Sequence, residues 1–377
     1  MKRKIAAHYL FISNRFEKNG IITLDENGVI EDIELGVENI DSRSNVEFYN
    51  GILIPGFVNC HSHLEYSYVK GMIPPGGGLG EFIRTIIEIK IKDEVSEETK
   101  IEAAKYWDAV MAQQGVIAVG DHNNNDYVYG VKQNSKIKYF NFIELYDMDG
   151  NTAEQTYEWG LGRVKESKSY GFVSSIGPHA NYTMEQELIN LTGGSKIGEN
   201  GVKADGIVSV HFKESLDLGG EGEFDAIYEG LSADRDRILL VHSIYASRDD
   251  IKKMKSKLGD KITVVMCPVS NLYIENNMAD LSMLQEEGIN VALGTDSLSS
   301  NVSLSMVEEM KALQNKFSQL NLTEILKMAT ENGAITLGID KSCGTLEVGK
   351  QPGVVLLSGV DFENMKLTDK ADSKRLI

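Results

Sequence analysis

From Phe57 to about Asp340, apolar strand-like runs alternate with helix-like stretches, and this alternation leaves the chain few architectures. With GILIPGFVN as the first, the runs are VIAVG, KYFNFIEL, GFVSSIG, GIVSVHF, ILLVH, ITVVM and NVALGT. Stretches with helical spacing separate them, among them EETKIEAAKYWDAVMAQ and LSMVEEMKALQNKF. Eight strand–helix repeats predict an α/β fold, a (β/α)8 TIM barrel with a parallel sheet. A doubly wound open sheet shares the alternation, but no GxGxxG or GxxxxGK[ST] stands at a strand end, so the barrel is favoured.

The two ends have a different texture. Between Ile5 and about Pro55, short runs (HYLFI, GIITL, GVIEDIEL, NVEFYNGILI) are separated by Asn, Gly and Asp, the pattern of a small sheet. After the helical TEILKMATENGAITLG, the segment GTLEVGKQPGVVLL returns to a Gly-punctuated β pattern. The expected division is a small β domain built from both termini, 1–55 plus 344–377, and a barrel over 56–343. Gly71 to Gly80, GMIPPGGGLG, reads as a loop after the first barrel strand; a lid and an ordinary connection both fit it.

Composition narrows the partners. Of 377 residues 42% are hydrophobic and 25% charged, enough for a sizeable core. A formal net charge of -18 argues against nucleic acid or an anionic membrane surface, which reward clustered Lys and Arg. Cys60, Cys267 and Cys343 are odd in number and widely spaced, as expected of reduced thiols in the cytoplasm. The N-terminal MKRKIAAHYLFISNRF is broken by His8 and Asn14 and reads as a strand, and no run is long enough to span a bilayer. A homo-oligomer is compatible with all of this.

In a (β/α)8 enzyme the chemistry sits at the C-terminal ends of the strands, and here the ionisable residues collect there. His61 and His63 end the first strand; Asp121 and His122, His179, His211, His242 and Asp296 end later ones. Only His8, of seven histidines, lies elsewhere. In PGFVNCHSHLEYS, His61 and His63 are two residues apart, so a strand sends both imidazoles to one face. With His211 and Asp296 they make a three-imidazole, one-carboxylate set suited to one divalent metal, Zn first and Fe second, which would acidify water. Asp296 also reads as a helix N-cap before LSSNVSLSMVEEM.

Glu214 follows His211 by three residues in HFKES, where a carboxylate can shuttle a proton; an exposed loop charge is the plainer reading. His242 is a candidate partner of the attacking water, an extra ligand or a structural histidine. His179, in GPHANYT, faces substrate rather than metal, because the other four groups complete a site. His122 and Asp121 stay open, Asp121 as a group that orients a ligand.

With these residues in place the chain resembles the amidohydrolase superfamily, in its cytosine-deaminase-like branch of metal-dependent deaminases and chlorohydrolases. PGFVNCHSHLE, GPHANYT, VHFKES, CPVSNLYIEN, LGTDSLSSN and GTLEVGKQPGVVLL carry the resemblance across nearly the whole chain. HSHLEYSYVKG and LGTDSLSSN look most like aminofutalosine deaminases. The resemblance implies His61, His63, His211 and Asp296 as ligands, Glu214 as proton shuttle, His242 as partner of water and substrate, and Asp296 as first proton acceptor. It further implies a distorted (β/α)8 TIM barrel with a small β-sandwich domain made from the two termini, that His179 contacts substrate and that Asn271 supports the site or ligand. Glu65, in a loop expected to set specificity, and His122, at its strand end, are further candidate substrate contacts.

Lys213 departs from the small residue many relatives carry before the glutamate, and GFVSSIGPH offers no lysine for a second metal. The expected function is hydrolytic deamination of an amino-substituted purine or pyrimidine base or adenosine-derived nucleoside, a small heterocyclic substrate. Chlorohydrolase or cyclic amidohydrolase chemistry is the enzymatic alternative. A non-catalytic metal-binding barrel is the alternative of another class, and Glu214 argues against it.

Overall fold

The computed structural model describes residues 2–40, 43, 45–194, 198, 206–219 and 222–377. The strands among them, in chain order, are β1 (Arg3–Ile12), β2 (Arg15–Leu24), β3 (Ile30–Glu34), β4 (Val46–Pro55), β5 (Phe57–Ser62), β6 (Val116–His122) and β7 (Lys138–Leu145). They continue as β8 (Val173–Pro178), β9 (Ile207–Phe212), β10 (Arg237–His242), β11 (Ile262–Met266), β12 (Asn290–Leu293), β13 (Val354–Asp361) and β14 (Lys366–Arg375). The residues divide into two compact units, Met1–Asn59 with Ala109–Ala118 and Ser305–Ile377, and Cys60–Asp108 with Val119–Leu304.

The first unit carries a six-stranded sheet in the order β14-β13-β4-β1-β2-β3. Ser13 and Asn14, both at positive φ, make the two-residue turn that pairs Ile12 with Arg15. Alternation along the strands sorts the side chains between two apolar clusters: Ile5, Ala7, Ile22 and Leu24 lie in one, Ala6 and Ile21 in the other. Both termini do meet in this sheet, because β13 pairs antiparallel with β4, Val354 opposite Pro55. The expected sandwich is realised as one continuous sheet: β1 pairs with β2 on one edge and lies parallel to β4 on the other, stitching the two hairpins together.

The run GILIPGFVN, expected as one strand, is two. It breaks at Gly56: β4 joins the terminal sheet and β5 leads to His61. A Cβ at Gly56 would lie 2.3 Å from Ile117 Cγ2 and 2.8 Å from the Pro352 carbonyl, so only glycine fits the break. The helical TEILKMATENGAITLG also divides, into Leu322–Ala329 and Glu331–Leu337, where Thr330 leaves helical geometry at φ -132, ψ -83.

Strands β5 to β12 form two four-stranded sheets, β5-β6-β7-β8 and β12-β11-β10-β9. The registers of β7 with β8 and of β9 to β12 with one another are parallel. Strands β5, β6 and β9 are buried along their full length, as parallel strands covered on both faces must be, which explains their unbroken apolar runs. In the second unit an isolated parallel bridge pairs Ser62 with Asp296, and the His211 N–H donates to the His179 carbonyl at 2.9 Å. The segment Gly71 to Gly80 is a loop only in its first part; Gly78–Lys92 is a helix.

Candidate active site

The second unit brings the strand-end residues together. His61, His63 and His211 offer donor atoms within 4.8 Å of one another, as do His61, His242 and Asp296. All five are buried. Asp296 Oδ1 lies 3.6 Å from His61 Nε2 and 3.5 Å from His63 Nε2. A tetrahedral centre with bonds of about 2.0–2.1 Å holds its donor atoms about 3.4 Å apart, so these spacings fit one ion at their centre. The donor set also fits, because three imidazoles and a carboxylate suit zinc-like metals.

Neighbours fix how each group faces. His211 Nδ1 lies 3.1 Å from the His179 carbonyl and must donate to it, which leaves Nε2 as the free lone pair. His242 Nδ1 donates to Asn271 Oδ1 at 2.8 Å, and its Nε2 then lies 3.4 Å from Glu214 Oε2. Asp296 Oδ2 accepts the Ser270 and Ser300 hydroxyls at 2.6 and 3.0 Å, and Oδ1 accepts the Ser297 N–H at 2.7 Å. Burial alone would push the Asp296 carboxyl up; His61, His242 and His63 outweigh it and hold the group well below the usual carboxylate range. The N-cap reading of Asp296 is set aside, since the next helix starts at Met306 behind Ser305.

Backbone conformation contributes as well. Lys213, His242 and Asp296 have φ of 49, 67 and 57, a region L-residues with side chains seldom occupy and that collects at functional sites. Gly294 lets β12 close on β5: a Cβ there would stand 2.8 Å from the His61 Cβ.

A cavity of about 420 Å³ opens onto this cluster. His63, His179, His211, Glu214, His242 and Asp296 line its polar end. Glu214 is 7% exposed, so it is no solvated loop charge. His179 lines the cavity with its Nδ1 against Thr183 Oγ1 at 2.8 Å.

Two candidate substrate contacts are spent on the protein, and a third supports the site. Glu65 Oε2 accepts Asn124 N–H, Asn125 N–H and Asn125 Nδ2 at 3.0, 2.9 and 2.8 Å, so its carboxylate ties the loop after β6 instead of meeting substrate. Glu65→Gln should therefore cost about 1.5–3 kcal/mol of stability in urea unfolding, the worth of hydrogen bonds to a charged group. His122 sits between Glu144 Oε1 and Ser209 Oγ, 2.9 Å from each. Burial pulls its imidazole down to about 4, so it is neutral, donating through Nδ1 and accepting at Nε2, and neither nitrogen is left for a ligand. Asn271 orients His242.

The doubtful basic residue also turns away. Lys213 pairs with Glu223, Nζ to Oε2 at 3.7 Å, and its N–H donates to Glu223 Oε1 at 2.6 Å.

Sequence reasoning passed over four groups. Glu144 ends KYFNFIEL and lines the cavity, where its place at a strand end was a signal. Burial would raise its carboxyl, but His179 and His122 hold it well below the usual range. Tyr182, in GPHANYT, donates its hydroxyl to Glu214 Oε1. Ser270 anchors Asp296. Lys132, fully buried, lies 2.6 Å from Asp121 Oδ2 and donates to Asn141 Oδ1 at 2.7 Å. Asp121 Oδ1 in turn accepts the N–H of Leu64, the residue after His63, so Asp121 holds the ligand segment from behind.

A buried His/Asp cluster at parallel strand ends defines a hydrolase of the metal-dependent class, and the comparisons agree. Residues 52–374 match the Amidohydrolase family, so the chain belongs to that family and is a hydrolase of C–N bonds. It is 26% identical over 373 residues to the 5'-deoxyadenosine deaminase of Methanocaldococcus jannaschii, covering 89% of this chain and 82% of that protein. Its fold is similar to Helicobacter pylori aminofutalosine deaminase crystallised with methylthio-coformycin, at 21% identity and TM-score 0.75 with both chains fully covered (100%). It is also similar to the zinc-complexed atrazine chlorohydrolase of Arthrobacter aurescens TC1, at 16% identity and TM-score 0.78 over 98% of this chain and 92% of that one.

Proposed function

We propose that this chain is a metal-dependent deaminase that removes the amino group of a purine or pyrimidine base or of an adenosine-derived nucleoside. The observation that carries the proposal is the meeting of Glu214, His242 and Asp296 at the polar end of one cavity, with His242 Nε2 3.4 Å from Glu214 Oε2. His61, His63, His211 and Asp296 would hold one divalent cation, zinc first and iron second, which when bound acidifies water and so supplies a nucleophile near neutral pH. A single ion is favoured because the other donor groupings among the described residues, His63 with His122 and Glu144 and Glu144 with His179 and His211, each share a histidine with the first set, and the buried Lys132 is committed to Asp121.

The protein residues move the protons. Asp296, whose Oδ1 faces the same centre as His61 and His63, accepts the first proton from the attacking water. Glu214 relays that proton to the ring nitrogen beside the amino-bearing carbon, then takes the second proton from the added hydroxyl and passes it to the amine, so that the C–N bond breaks and ammonia leaves. His242, its Nδ1–H held by Asn271, offers the Nε2 lone pair to the O–H of the attacking water. Tyr182 steadies the other oxygen of Glu214. His179 meets the heterocycle from the cavity wall.

The arrangement rests on closure of β5 to β12 into a (β/α)8 barrel. The Ser62–Asp296 bridge and the His211–His179 hydrogen bond, one at each seam between the two sheets, support that closure. The barrel would span 56–343, with 1–55 and 344–377 as the smaller domain.

Protein purified without chelator should carry about one equivalent of metal by elemental analysis, as a four-donor site predicts. It should release ammonia from aminopurines or adenosine derivatives, and lose that activity on metal removal. Chloride release or ring-opened products without ammonia would move the reading to the hydrolytic alternatives, and metal-free active protein would overturn it.

A further inference from the structure

We propose that the substrate carries an extended apolar substituent on the side away from its amino group, covered by the helix Gly78–Lys92. This rests on the deaminase reading and concerns the other end of the same cavity.

Leu79, Phe82, Ile83, Ile86, Ile87 and Ile91 recur at helical spacing and all line the cavity. Such a stripe ordinarily packs on a core, but here it faces empty space beside the polar cluster. Its cover thins outward: Leu79 is buried, Phe82, Ile83 and Ile86 are half-buried, and Ile87 and Ile91 are 48% and 78% exposed. Ile274 adds apolar surface from Pro268–Glu275. The helix is pinned at its start, where the Leu79 N–H donates to Glu275 Oε1 at 3.0 Å and the Gly76 N–H to the Tyr273 carbonyl at 2.8 Å.

At a rise of 1.5 Å per residue, Leu79 to Ile91 spans about 18 Å, whereas a methyl group would touch a single turn of about 5 Å. An apolar group several carbons long uses the rest. Charge points the same way. Glu144, Glu214 and Asp296 repel an anion at the polar end, and Lys90, the cation among the described lining residues, is exposed, so that water and salt screen its charge, while its Nζ donates to Tyr66 Oη at 3.0 Å. Lys213 is committed to Glu223.

The test uses the metal-loaded protein and adenosines bearing 5'-deoxy, 5'-methylthio, 5'-butylthio, 5'-hexylthio and 5'-phosphate groups. Ammonia release should rise in kcat/KM by about fourfold per methylene, the factor for burying one methylene, with the phosphate ester at least about 100-fold below the hexylthio compound. Ile86→Glu, and Ile87→Asp at a site exposed enough to spare the fold, should each cut the hexylthio to 5'-deoxy ratio by at least about tenfold, the effect of a charge in an apolar wall. A flat series, a preference for the phosphate, or a ratio unmoved by both variants overturns the inference while leaving the deaminase reading intact. If no compound yields ammonia, that reading fails, and calorimetric binding of the same series decides the inference: affinity rising with chain length supports it, and no rise or no binding overturns it.

Discussion

Replacing Glu214 by glutamine should lower kcat by about 10²–10⁴-fold, the usual worth of a positioned general acid–base group. Glutamine keeps the shape of the side chain and can still accept the Tyr182 hydroxyl, but its amide cannot take up and return a proton. Glu214 is outside the groups whose donor atoms cluster around His61, so metal content should match the parent protein. A loss shared equally by kcat and kcat/KM is the sign of an interaction made in the transition state. Normal metal binding together with undiminished turnover would remove Glu214 from the mechanism and with it the proposed proton route.

The second large effect is on stability. Lys132→Met should cost about 3–5 kcal/mol in urea unfolding, because it strips the partner from a buried carboxylate. Both side chains of the pair have no solvent exposure, and Asp121 Oδ1 holds the Leu64 N–H beside His63, one of the proposed metal ligands. The variant should therefore also bind metal more weakly, by the 10–100-fold typical of groups that orient a ligand. Adding Asp121→Asn removes the uncompensated charge and should recover part of the stability without restoring metal affinity. A single variant as stable as the parent would show that the pair is not a structural element.

Much of this site was legible beforehand for a physical reason. Parallel strands deliver their C-terminal residues to one end of a fold, so His61, His63, His211, His242 and Asp296 could be assigned to a common place from strand order alone. Glu144 carried the same signal at the end of KYFNFIEL. Glu65 and His122 showed how far that signal goes. Proximity to the site is readable, but whether a carboxylate or imidazole faces the cavity depends on which partners pack behind it. For Glu65 those are the amides of Asn124 and Asn125, and for His122 they are Glu144 and Ser209, all from other parts of the chain.

Local periodicity and side-chain type were enough for the alternation of elements, the β character of both ends and the chemistry of the donor set. Tertiary structure decided the break at Gly56, the positive-φ turns that aim His242 and Asp296, the buried Lys132–Asp121 pair and the apolar wall of Gly78–Lys92. Each of these depends on an approach between segments distant in the chain, or on which face of an element is left uncovered, and neither is encoded in the spacing of nearby residues.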